Sequence, residues 1–212
     1  MIEELRQKYD TKKKDIEKRM QDFCDAFSLP DEDIFAELCF CLLTPQSKAK
    51  SCWRAVEKLK ETGLLYSGSS DEIKKWLAAV RFNENKSKYI IEVRKLFVDD
   101  YGKLQIKNKL NALGSPVAMR LWLVKNVKGY GLKEASHFLR NVGFGDDIAI
   151  LDRHILKNLV RYGVIDEVPK SLTDKKYFEI EEKMRAFAQS AGIPFSHLDL
   201  LWWSEEAGEI FK

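Results

Sequence analysis

The chain has no stretch near the roughly 20 uninterrupted apolar residues that a membrane-crossing helix needs, and its mean hydropathy is −0.36. A membrane-spanning role is therefore excluded. The opening MIEELRQKYDTKKKDIEKRM has no apolar core of the kind that marks a secretory signal, so the expected location is cytoplasmic. Cysteine is scarce: Cys24, Cys39, Cys41 and Cys52 crowd into the first quarter of the chain, which does not suit a disulfide framework. Cys39 and Cys41 are two apart and no C-x-x-C pair occurs, so a zinc or iron–sulfur site is not expected either. All four read as buried, reduced thiols. Charge of one sign is also missing. Against 33 acidic residues stand 36 basic ones, for a net charge of +3, too little to imply a polyanionic partner by itself.

The five prolines and eleven glycines are few and fall at segment boundaries. Strand signals are nearly absent, with Asp147–Leu151 the one short apolar run that resembles a strand. Hydrophobic residues at 45% and charged residues at 33% supply a core and a solvated surface. The expected fold is all-α, a single unit over 1–212. Helical periodicity predicts segments from Ile2 to Phe27, Ile34 to Leu43 (capped by Asp31 or Asp33), Ser47 to Lys60, Glu72 to Val80 and Lys86 to Tyr101. Further segments run from Pro116 to Val127, Leu132 to Val142, Arg153 to Tyr162, Lys176 to Ser190 and Pro194 to Ala207. Leu64–Gly68 reads as a loop.

The stretch that points to chemistry is LVKNVKGYGLKEASHFLRNVG, Leu123 to Gly143. Two helical segments meet at Lys128–Gly129–Tyr130–Gly131, where glycine can adopt positive φ and Tyr130 can pin the turn to the core. Such a hairpin presents the first amides of its second helix, with the positive end of the helix dipole, to one phosphate. Lys125 and Lys128 add charge. The spacing resembles the helix–hairpin–helix pattern, placed at about 117–142, although a glycine pair alone fits an ordinary αα-hairpin equally well. Lys133 lies in the first turn of the second helix, where a cation opposes the dipole. The dipole and desolvation by a bound substrate favour the neutral amine that nucleophilic attack requires. Asp152 follows 19 residues later at the start of a helix, placed to cap with one oxygen and face a substrate with the other.

Gly-h-Gly-x-Lys, an apolar run and then Asp resembles the helix–hairpin–helix DNA glycosylases of the endonuclease III superfamily. KEASHFLRNVG, AILDRH and LDLLWW, with lysine at the end of the chain, are similar to the short, archaeal-type 8-oxoguanine DNA glycosylase/AP lyases. The resemblance implies two helical subdomains flanking a DNA-binding cleft, one made by the N- and C-terminal helices and the other by about 45–140. It implies Lys133 as the Schiff-base nucleophile and Asp152 as its partner, which deprotonates or positions it and stabilises the developing oxocarbenium. The Gly129 and Gly131 amides, with Lys128, would hold phosphate. Gln46, in LLTPQSKAK, and Phe82, in VRFNENKSKYI, would fill the gap left by an extruded nucleotide. Trp203 and Lys212 would form the base pocket, with the α-carboxylate of Lys212 as an acceptor for guanine-type N–H groups, its tail anchored by Ile210 and Phe211. A core position beside Trp202 suits Trp203 as well. The carbonyls of Lys125, Val127 and Tyr130 match positions that bind a monovalent cation in the family. His137 and His154 are read as structural or phosphate-facing.

The reaction so implied excises 8-oxoguanine from double-stranded DNA and nicks the strand by β-elimination, with no cofactor and as a monomer. Two alternatives stand beside it. One is a relative acting on oxidised pyrimidines or adenine mispairs, though those usually carry a C-terminal iron–sulfur cluster and no cysteine follows Cys52. The other is a non-catalytic helix–hairpin–helix DNA-binding module, which needs neither Lys133 nor Asp152.

Overall fold

Helix-forming residues with few interruptions produce a chain of helices joined by short turns. The computed structural model describes residues 1–208 and 210–212. In order, the elements are α1 (Ile2–Ala26), α2 (Asp31–Leu43), α3 (Ala49–Glu61), α4 (Leu64–Ser67), α5 (Ser70–Trp76), α6 (Asn83–Phe97), α7 (Ile106–Asn111), α8 (Pro116–Asn126), α9 (Leu132–Asn141), α10 (Arg153–Arg161), α11 (Asp174–Ala191) and α12 (Leu198–Ala207), with a 3₁₀ turn at Phe195–His197 before α12. Among the described residues the only β feature is an isolated bridge between Val98 and Leu104. The fold is all-α.

The apolar side chains gather into two cores. The first runs from Ile34 to Ile148 and takes the buried faces of α2, α3, α5, α6, α7, α8 and α9. The second joins Leu5, Tyr9, Ile16 and Phe23 of α1 to α10, α11 and α12. Two places lie on the seam. Within α9, Leu132 packs in the second core while Ala135, Phe138 and Leu139 pack in the first. Between α9 and α10, Ile148 belongs to the first and Ala149 to the second. Both chemistry-bearing residues singled out above, Lys133 and Asp152, follow these crossing points.

Several local expectations are corrected. Leu64–Gly68 is not a loop, because Leu64–Ser67 makes a helical turn after Gly63, which takes φ +74°. Asp31 and Asp33 do not cap α2: Pro30 precedes it with no side-chain cap, and the Asp31 carboxylate accepts the Lys107 amide at 2.8 Å. Ser47 does not start α3, which begins after Lys48. Cys24 is exposed, whereas Cys39, Cys41 and Cys52 are buried, and burial pushes those three thiols up. The run Asp147–Leu151 is not a strand: Asp147 lies in a turn, and the residues after it pair with no strand among the described residues. Side chains of α11 take its backbone groups instead. Glu181 accepts the Ala149 amide at 2.6 Å, and the Tyr177 hydroxyl donates to the Ala149 carbonyl at 2.7 Å and accepts the Leu151 amide at 3.2 Å.

Candidate active site

The hairpin is built from α8, the turn 127–131 and α9. Gly129 takes φ +90°, and a Cβ there would meet the Tyr89 ring at 2.8 Å, so this glycine is required by both backbone and space. Gly131 differs: its φ of −109° is extended, a conformation open to any residue. Tyr130 is buried and its hydroxyl donates to the Leu38 carbonyl at 2.7 Å, pinning the turn to α2. The first intrahelical bond of α9 runs from Ala135 N–H to the Gly131 carbonyl at 3.0 Å, so the amides of Leu132, Lys133 and Glu134 precede the ladder. The Gly131 amide, expected to be free, donates to Glu134 Oε2 at 3.1 Å. Lys128 is exposed and turns to Glu92, at 3.3 Å, and the Tyr89 face. The Val127 carbonyl accepts the Tyr130 amide at 3.1 Å.

Lys133 stands in the first turn of α9 with its side chain 23% exposed. Its Nζ donates to Thr44 Oγ1 at 3.4 Å and lies 3.5 Å from Glu134. The amine is thus half-sheltered at the C-terminal end of α2 and open to an incoming group.

Asp152 caps α10. Its Oδ1 accepts the amides of His154 and Ile155, both at 2.8 Å. The second oxygen, expected to face substrate, accepts the Trp203 indole N–H at 2.8 Å. Three donors therefore fix this carboxylate in place. Trp203 is half-buried, and His154 lies against its ring at 4.8 Å. The tryptophan of LDLLWW that is fully buried in the second core is Trp202.

Lys212 sits in a box the sequence did not announce. Its Nζ donates to Glu37 and lies 3.2 Å from the Trp53 ring centroid and 5.6 Å from that of Phe40. Asn141 donates to the other Glu37 oxygen at 3.1 Å. Burial lowers the Lys212 amine's pKa, and Glu37 offsets part of the effect. Gly208 ends α12 in the left-handed region at φ +75°. Ile210 packs against the second core and Phe211 against the first. His137 is buried against Phe40, and burial pushes its pKa well down. The missed residues are Glu37, Trp53 and Thr44. Glu37 left one trace, a lone carboxylate in the otherwise apolar run from Ile34 to Leu43.

Gln46 and Phe82 are both exposed, at φ +55° and +58°. They are the only described non-glycine residues in the left-handed region, a costly conformation that tends to cluster where a site needs it.

An all-helical fold of two cores, with a glycine hairpin, a half-sheltered lysine at a helix start and an aspartate fixed as the cap of the next helix, defines the class of helix–hairpin–helix DNA glycosylases that carry a lysine. Comparisons with known proteins narrow it. Residues 16–193 match the family model described as 8-oxoguanine DNA glycosylase. A Fusobacterium nucleatum protein named 8-oxoguanine DNA glycosylase/AP lyase is 54% identical over 182 residues, 86% of this chain and 83% of that one. The Methanocaldococcus jannaschii protein of the same name is 37% identical over 197 residues, 93% and 91% of the two chains. Its crystal structure in complex with a 15mer DNA containing 8-oxoguanine superposes with a TM-score of 0.88 at 34% identity, covering 100% of this chain and 99% of that one. The Thermotoga maritima 8-oxoguanine DNA glycosylase gives 0.84 at 33% identity, covering 100% and 98%. The chain belongs to the 8-oxoguanine DNA glycosylase family.

Proposed function

We propose that this chain is a base-excision repair enzyme: it removes 8-oxoguanine from double-stranded DNA through a Schiff base on Lys133 and then nicks the strand. The observation that carries this reading is Lys133 itself, a lysine in the first turn of α9, where a cation opposes the helix dipole, half-sheltered at the core seam of a fold shared with the glycosylase family. A base inside a duplex is out of reach, so the damaged nucleotide is first rotated out, at a cost of a few kcal/mol. The neutral Lys133 amine attacks the sugar C1′. The C1′–N9 bond breaks and the base leaves with the electron pair and takes a proton. Loss of the amine proton and ring opening give the Schiff base. Abstraction of a C2′ proton then expels the 3′ phosphate by β-elimination.

In this reading Asp152 stabilises the cationic sugar and orients the amine, while its bonds to the α10 amides and Trp203 keep it from collapsing onto Lys133. Phosphate is gripped at the hairpin by the Gly129 and Gly131 region, with Lys128 contributing charge once it swings from Glu92. Gln46 and Phe82 fill the vacated stack. Lys212 and Trp203 face the extruded base. The carbonyls of Lys125, Val127 and Tyr130 are oxygen donors suited to a monovalent cation, which would supply positive charge beside the gripped phosphate.

The test is product analysis in EDTA on duplexes carrying 8-oxoguanine, an oxidised pyrimidine or an adenine mispair. The expected outcome is release of free 8-oxoguanine and a nick 3′ to the lesion on the first duplex alone. Binding without release on any duplex returns the non-catalytic module, and release from another duplex returns the other glycosylase reading.

A further inference from the structure

Two short segments carry the left-handed residues Gln46 and Phe82: the loop between α2 and α3, and the turn before α6. Such backbone at non-glycine residues persists only where the surroundings hold it, and here one side chain does much of the holding. Lys86, one turn into α6, is 4% exposed. Its Nζ donates to the Leu43 carbonyl at 2.7 Å, to the Pro45 carbonyl at 2.8 Å and to Ser47 Oγ at 3.3 Å. Ser47 Oγ also accepts the Arg81 amide at 3.0 Å. The neighbours of Gln46 on both sides, and the residue before Phe82, are therefore tied to one ammonium.

The cost of that arrangement argues for a purpose. Among the described residues no carboxylate pairs with Lys86; its partners are neutral oxygens, and burial lowers its pKa while Cys52 and Glu134 act the other way. A buried ammonium is expensive even with good partners, and an apolar side chain of equal length would fill the space at less expense. The site compensates in part through α2, whose C-terminal Leu43 carbonyl marks the negative end of that helix.

We propose that Lys86 is a positioning residue that locks Gln46 and Phe82 into one rigid, two-pronged wedge, so that both enter the duplex together as the damaged nucleotide leaves the stack. This rests on the reading of Gln46 and Phe82 as gap-filling residues. Prongs fixed before binding lose little freedom on insertion. Removing the ammonium releases both at once, although neither is itself altered.

The experiment separates wedging from chemistry and from phosphate grip. In a Lys133→Gln background, protein is added to an 8-oxoguanine duplex with 2-aminopurine beside the base opposite the lesion, whose fluorescence rises when stacking is broken. Lys86→Met is expected to remove at least half of that rise, and Ser47→Ala a smaller part. Affinity for an undamaged duplex should stay within twofold. Ser47→Ala decides alone if Lys86→Met does not fold, as circular dichroism would show. A full fluorescence rise in the folded variants overturns the proposal. Gln46→Ala and Phe82→Ala are run beside them: if these also leave the rise intact, the gap-filling reading fails and takes the proposal with it. If they abolish the rise and the other two do not, only the role of Lys86 falls.

Discussion

At the scale of single residues, the candidate site comprises a tightly held carboxylate and an amine whose own partners are long, Thr44 at 3.4 Å and Glu134 at 3.5 Å. Asp152 has both oxygens engaged, one by the α10 amides and one by the Trp203 indole. Trp203→Phe keeps an aromatic side chain and deletes that last donor, so excision should slow about tenfold, the value of one hydrogen bond near 1.4 kcal/mol. The unfolding midpoint in urea should barely move. Asp152→Asn should slow excision by at least about a hundredfold with little loss of stability, because asparagine caps a helix as well as aspartate does. Unfolding in place of inactivation would make Asp152 a cap and nothing more. The place of Lys133 in the first turn of α9 and of Asp152 as the cap of α10 was legible in the sequence, because caps and glycine turns are local signals. The box around Lys212 was not: Glu37, Trp53 and Asn141 come from three helices, and only packing brings them together.

At the scale of elements, α11 supports the path from the hairpin to Asp152. Its Glu181 takes both guanidinium arms of Arg120 on α8, at 2.6 and 2.9 Å, and the pair is nearly inaccessible to solvent. Arg120→Met leaves that carboxylate uncompensated. It should cost about 3–5 kcal/mol of stability, measured by urea unfolding, and a loss below about 1 kcal/mol would mean water reaches Glu181. The same helix explains why Asp147–Leu151 looked like a strand and is not one. Its alternating backbone groups are satisfied by Glu181 and Tyr177 rather than by a neighbouring strand. The long periodic helices were readable within a few residues at each end. The one-turn helix Leu64–Ser67 and the short Ile106–Asn111 were not, since four or six residues give no periodic signal. Ser47 read as a helix start; it is instead an acceptor for Lys86 and Arg81, a role set by a segment some forty residues away.

At the scale of the whole molecule, two apolar cores meet along a seam that α9 and the segment before α10 both cross. Lys133 stands where α9 passes from one core to the other, and Asp152 follows the second crossing along the chain. With a net charge of only +3, the account expects DNA affinity to rest on local groups rather than on a general basic surface. The central claim is that this scaffold exists to present one amine to C1′ of an extruded nucleotide. Borohydride reduction during turnover on an 8-oxoguanine duplex tests it directly, with peptide mass spectrometry of the product. The account predicts a one-to-one covalent complex with the adduct on Lys133, and none from Lys133→Gln although that variant still binds the lesion duplex. Equal trapping by Lys133→Gln, or an adduct on any other lysine, would contradict it.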